Sequence, residues 1–176
     1  RGVLSVVIRA IKTVIPSFSE ISIPLIFEKI SLRERGLILV AGATSSGKST
    51  TVATMINYIN QHRDAHIITI EDPVEYLHED RRCLVNQREI GLDAPSFSDA
   101  LKYVVRQDPD IIVIGEMRDA ESFRTALVAS ETGHLVISTI HSKNVIQVID
   151  RILGFFPPEQ HAQILKASQS KTANAG

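Results

Sequence analysis

The 176-residue chain is long enough for one compact domain with a real core and too short for two large ones. Its 44% hydrophobic and 22% charged residues suit a globular protein, and a net charge of −1 argues against a surface built to hold a nucleic-acid backbone. No apolar run approaches the ~20 residues of a membrane span and no signal-peptide pattern opens the chain; lone Cys83 has no cysteine partner, so a reducing, cytoplasmic setting fits.

The chain opens on Arg1-Gly2 and a strand-like run, Val3 to Ile8, which reads as the last piece of a preceding domain, residues 1–12. Residues 13–165 carry the periodic segments of one folded core. Residues 166–176 are small and polar with no apolar stripe and read as a frayed tail.

Within the core, Leu37–Ala41 is the first of four short apolar runs, followed by Ile67–Ile70, Ile111–Ile114 and Leu135–Ile140. None alternates with polar residues, as expected of strands covered on both faces. Helical stripes separate them. Val52, Met55, Ile56 and Ile59 follow Lys48, while Phe97, Leu101 and Val104 follow a Pro95-Ser96 start signal. Ala120, Phe123 and Leu127 follow Asp119, and Val145, Ile149 and Ile152 follow Asn144, both suitable N-caps. This alternation predicts an α/β fold, a mostly parallel sheet with helices on both faces, whose ligand lies at the carboxyl ends of the strands.

Gly42-Ala43-Thr44-Ser45-Ser46-Gly47-Lys48-Ser49 fits G-x-x-x-x-G-K-[ST] between a strand and a helix. Glycines let the backbone curl so that successive N–H groups face phosphate oxygens, and the helix N-terminus adds its positive dipole end. Lys48 suits the β- and γ-phosphates, Ser49 offers a hydroxyl to Mg²⁺, and Thr50 is placed for the α-phosphate. The pattern predicts a site for ATP and Mg²⁺.

Acidic groups end the next two strands. Glu71-Asp72-Pro73-Val74-Glu75 follows Ile67–Ile70, and a carboxylate there can orient the attacking water of phosphoryl transfer. Pro73 keeps Asp72 out of the helical region. Ile111–Ile114 runs into Gly115-Glu116, so Gly115 stands where a Walker B aspartate is usual and the metal contact falls to Glu116 and Ser49. Arg118 and Asp119 can pair with each other or shape a subunit edge. The fourth strand is framed by His134 and His141; for His141, a γ-phosphate sensor and a packed, hydrogen-bonded histidine are both open.

Taken in order, the phosphate loop, Ile70-Glu-Asp-Pro-Val-Glu-Tyr76, Asp108-Pro-Asp-Ile-Ile-Val-Ile-Gly-Glu-Met-Arg-Asp119 and Thr132-Gly-His-Leu-Val-Ile-Ser-Thr-Ile-His141 resemble the type II/IV secretion ATPase superfamily. Cys83-Leu-Val-Asn-Gln-Arg-Glu-Ile90 and the Gly-Glu-Met-Arg-Asp form look most like its twitching-motility (PilT-like) branch, which retracts type IV pili. The resemblance implies a RecA-like P-loop NTPase domain, ATP hydrolysis, a homo-hexamer in the full-length protein, and a pilus or secretion platform protein at the inner membrane as partner. It also implies that residues 71–75 are the acidic box with Glu75 the catalytic base, that Gly115 is normal for the family, and that His134 and His141 form the His box. Ala43 and Ser45 depart from the family's Pro and Gly. Arginines of the preceding domain reach nucleotide in the family, and Arg1 and Arg9 are the positions left here for that role. Extension or secretion motors, a nucleotide-dependent switch with little hydrolysis, and a DNA-translocating ATPase are the competing readings; near-neutral charge and the Gly-Glu-Met-Arg-Asp form weigh against the last.

Overall fold

The computed structural model describes residues 2, 6, 10–142 and 144–169. The expected strand at residues 3–8 rests on positions outside this set, as do Arg1 and Arg9. Among the described residues the elements run α1 (Ile26–Ser31), β1 (Gly36–Gly42), α2 (Lys48–His62), β2 (Ala65–Glu71), β3 (Cys83–Glu89), α3 (Phe97–Val104), β4 (Ile111–Ile114), α4 (Ala120–Glu131), β5 (Leu135–His141), α5 (Val145–Leu153), a 3₁₀ turn (Pro158–Gln160) and α6 (His161–Gln169). The five strands form one parallel sheet in the order β1-β5-β4-β2-β3.

The uniformly apolar runs conceal a period of two. In β4, Ile111 and Val113 pack with Val52, Met55, Ile56 and Ile59 of α2 on one face. Ile112 and Ile114 turn to the other face, against Leu101 of α3 and Phe123 and Leu127 of α4. With both faces covered there is no polar side to write into the sequence. The expected helix starts are real caps: Ser96, Asp119 and Asn144 accept from the backbone N–H groups of Asp99, Ser122 and Gln147.

Several features differ from the sequence-based expectation, among them helices α1 and α6, which the sequence reading does not include. Strand β3 is an edge strand that pairs only with β2, and its residues Asn86, Gln87 and Arg88 are too polar to read as core. Helix α6 continues to Gln169, past the expected boundary at residue 165, because Ile164 is buried against the α3–α4 cluster and anchors the helix. Residue 12, placed in the preceding domain, is tied to the core: Lys12 N–H donates to the Glu75 carbonyl at 3.0 Å, and Leu77 N–H donates to the Lys12 carbonyl at 2.9 Å.

Candidate nucleotide-binding cleft

Strands β1, β2, β4 and β5 all end on one edge, and the polar groups that follow them surround a cleft of about 610 Å³. That volume suits a nucleotide-sized ligand. Thr44, Ser45, Gly47, Lys48, Ser49 and Thr50 line it, whereas Gly42, Ala43 and Ser46 stand behind them as the frame of the loop. Gly42 is needed for closeness, since a Cβ there would collide with the Ser46 hydroxyl. Gly47 is needed for conformation, with φ of 92° where the loop enters α2. No side chain caps α2, so the first N–H groups of a 15-residue helix face the cleft for an anion to take. Ser45 takes a φ of 60° without being glycine, at the family's usual glycine position; the left-handed region costs an L-residue about 1–2 kcal/mol.

Lys48 Nζ donates to the Gly42 and Ala43 carbonyls at 3.0 and 2.8 Å and lies 3.5 Å from His141 Nδ1. An ammonium only donates, so the tautomer that suits His141 carries its proton on Nε2, which lies 3.3 Å from Glu116 Oε1. Glu116 also accepts from Arg118 Nε at 2.8 Å, and Arg118 Nη1 donates to Asp72 at 3.1 Å. A continuous polar chain therefore runs Lys48, His141, Glu116, Arg118, Asp72. Arg118 does not pair with Asp119, whose carboxylate is occupied in capping α4 through Ser122.

Glu116 is thus held from two sides, while Glu75 lines the same cleft with no side-chain partner among the described residues. Glu71 is engaged differently. Burial pushes its carboxyl up, and hydrogen bonds from Thr69 at 2.6 Å and Gln87 at 3.0 Å only partly offset this. Gly115 has a steric reason. Its N–H donates to the Ile70 carbonyl at 2.8 Å, and a Cβ would stand 3.3 Å from that oxygen and 3.4 Å from Glu71 Cα, so an aspartate would press into β2.

His134 is not at the cleft. It precedes β5 at the far end of the sheet, where its Nδ1 lies 3.0 Å from the Ala129 carbonyl at the end of α4. His141 is the last residue of the seven-residue strand that begins just after His134, roughly 20 Å away along the backbone. Conversely, the cleft includes Lys12, Tyr76 and His78, none singled out from the sequence. Tyr76 could have been found as the end of the acidic motif; Lys12 carries no motif signal.

His78 makes a pH prediction. Burial pushes its imidazole down to about 4, and its Nδ1 has no hydrogen-bond partner. An unfolded chain titrates histidine near 6.5. As pH falls through this window the unfolded state binds a proton that the fold refuses, so stability falls, by roughly 3 kcal/mol between pH 7 and 4. Glu71 acts oppositely, because its raised carboxyl takes a proton in the folded state first. Urea unfolding of wild type and His78→Leu separates the two: the substitution should flatten the acid limb by that amount, and parallel pH curves would remove the histidine from the account.

The fold and the cleft define a P-loop NTPase of the RecA-like class. Residues 6–167 match the Type II/IV secretion system protein family, and the chain belongs to it. It is 47% identical over 164 residues to the type IV pilus ATPase PilU of Pseudomonas aeruginosa, covering 93% of this chain and 43% of that protein. It is 48% identical over 158 residues to the type IV pilus retraction ATPase PilT of the same organism, covering 90% and 46%. A crystal structure of the pilus retraction motor PilT with bound ADP superimposes with a TM-score of 0.86 at 51% identity, over 89% of this chain and 46% of that one. The chain spans less than half the length of these relatives. Among the described residues, no helix is long and apolar enough to cross a membrane.

Proposed function

We propose that this chain is the ATP-binding and hydrolysing core of a hexameric motor that powers type IV pilus retraction. The observation that carries the proposal is the convergence, on one cleft, of an uncapped helix start behind a phosphate loop, an unpaired carboxylate at Glu75 and an anchored one at Glu116. The pilus ATPases PilU and PilT match 93% and 90% of the chain and a type II secretion system protein E matches 72%, which favours retraction over secretion.

In this reading Lys48 leaves the Gly42 and Ala43 carbonyls to meet the β- and γ-phosphates. Thr50 meets the α-phosphate. Glu75 orients the attacking water and takes its proton. His141, between Lys48 and Glu116, reports whether the γ-phosphate is present. Among the described residues no cluster of three or more His, Cys, Asp or Glu side chains could hold a metal alone. That suits Mg²⁺, which keeps waters and takes one or two protein oxygens plus substrate phosphates. Ser49 and Glu116 are the donors here, and the ion when bound neutralises charge on the β- and γ-oxygens. Residues 13–165 form the motor core, joined to a preceding domain through the segment that contains Lys12. The assembled motor works in the cytoplasm against an inner-membrane platform protein, with no nucleic-acid partner and no membrane insertion.

Binding and turnover of ATP by the full-length protein, with Mg²⁺ and with a chelator, test the reading. Hydrolysis should require Mg²⁺, and Lys48→Ala should weaken nucleotide binding by roughly 10–100-fold, the worth of a charged hydrogen-bond donor. Unchanged binding in Lys48→Ala would show that the loop is not the phosphate site.

A further inference from the structure

We propose that Lys12 is a nucleotide-binding residue, whose ammonium contacts the α-phosphate of a nucleoside di- or triphosphate beside Thr50. The inference rests on the nucleotide reading of the cleft and adds a contact from outside its motifs.

Lys12 belongs to the segment that enters the core, and the paired backbone bonds to Glu75 and Leu77 fix it against the acidic loop. Its side chain lies over the Tyr76 ring, Nζ 5.0 Å from the centroid, and Nζ donates to the Tyr76 hydroxyl at 3.2 Å. Tyr76 is buried, and its hydroxyl lies 2.9 Å from Thr50 Oγ1. Among the described residues Thr50 is the acceptor within reach of the tyrosine's own hydrogen. A buried hydroxyl that failed to donate would lose about 1–3 kcal/mol. With its oxygen accepting from Lys12, the Tyr76 hydroxyl can donate to Thr50, an arrangement that leaves the Thr50 hydrogen for a ligand in the cleft. Lys12, Tyr76 and Thr50 form a chain of donors aligned in one direction, ending at the loop residue placed for an α-phosphate.

Charge points the same way. Among the described residues the cleft holds three fixed cations, Lys12, Lys48 and Arg118. Arg118 is committed to Glu116 and Asp72, and Lys48 is gathered into the loop. Among the described residues Lys12 has no carboxylate within 4.0 Å, although Glu71, Asp72, Glu75 and Glu116 line the same cleft. An ammonium fixed in a phosphate cleft and paired with neutral oxygen alone has capacity for an anion.

The test measures ADP and pyrophosphate binding calorimetrically in the full-length protein, for wild type, Lys12→Met and Lys12→Arg. Pyrophosphate offers the β- and γ-positions without the nucleoside side. Lys12→Met should weaken ADP about 10-fold, Lys12→Arg should retain most of the affinity, and pyrophosphate should bind both variants as wild type does. Thermal unfolding should be unchanged in Lys12→Met, because the bridging bonds are main-chain. Equal ADP affinity in Lys12→Met and wild type makes Lys12 a solvated lysine and overturns the inference while the nucleotide reading stands. An equal loss for pyrophosphate also overturns it, since the lysine then acts through the general field of the cleft. Absence of ADP binding to wild type overturns the nucleotide reading and this inference together.

Discussion

Glu75→Gln in the full-length protein should lower ATP turnover by roughly 10²–10⁴, the value of a positioned base, while Mg-ATP affinity stays near wild type. The substitution keeps the size but turns one acceptor oxygen into a donor amide, removing the negative charge and with it the ability to take a proton. Glu75 and Glu116, two of the three glutamates that line the cleft, are distinguished by what already holds them. Glu116 is fixed between Arg118 Nε at 2.8 Å and His141 Nε2 at 3.3 Å, which orients both oxygens and leaves each a further lone pair. The base must accept a hydrogen bond from water, and among the described residues the Glu75 carboxylate has no protein donor to compete with it. Glu116→Gln should therefore act on the Mg²⁺ concentration needed for tight binding. Equilibrium binding and steady-state hydrolysis, measured on both variants, separate the roles. Normal hydrolysis in Glu75→Gln, with tight binding but no turnover in Glu116→Gln, would reverse them.

What the sequence made legible follows from how strongly each feature is constrained locally. Central strands are fully buried, so Ile67–Ile70 and Ile111–Ile114 had to be continuous apolar runs, and both lie in strands. N-caps are short-range, and Ser96, Asp119 and Asn144 announce three helices for that reason. Strand β3 escaped because an edge strand with one neighbour tolerates Asn86, Gln87 and Arg88, so no apolar run marks it. The phosphate loop was visible as a spacing. Its companions Lys12 and His78 were not, because they reach the cleft through tertiary contacts 60 or so residues distant in the first case and by burial alone in the second. His134 shows the converse: seven residues from His141 in sequence, it lies at the other end of a strand, since a parallel sheet separates the start of every strand from its functional end.

Residues 1–176 expressed alone should bind nucleotide but hydrolyse ATP about 10³–10⁵-fold more slowly than the full-length protein. The reason lies in the cations of the cleft. A γ-phosphate in flight spreads negative charge over its equatorial oxygens, and an arginine fork placed against them is worth that factor in rate. Arg118 is the one arginine lining the cleft among the described residues, and its guanidinium bridges Asp72 and Glu116. Pulling it away would leave Asp72 unpaired and Glu116 held by His141 alone beside the phosphates, so its charge is not free for the transition state. Lys48 belongs to the loop, and Lys12 is directed toward the Thr50 side. Among the described residues no further arginine lines the cleft, so in the proposed reading the donor comes from outside this constellation. Single-turnover hydrolysis by residues 1–176 and by the full-length protein, at matched saturation with Mg-ATP, makes the comparison. Equal rates would mean that one chain completes the site, with Arg118 releasing its carboxylates to serve the γ-phosphate.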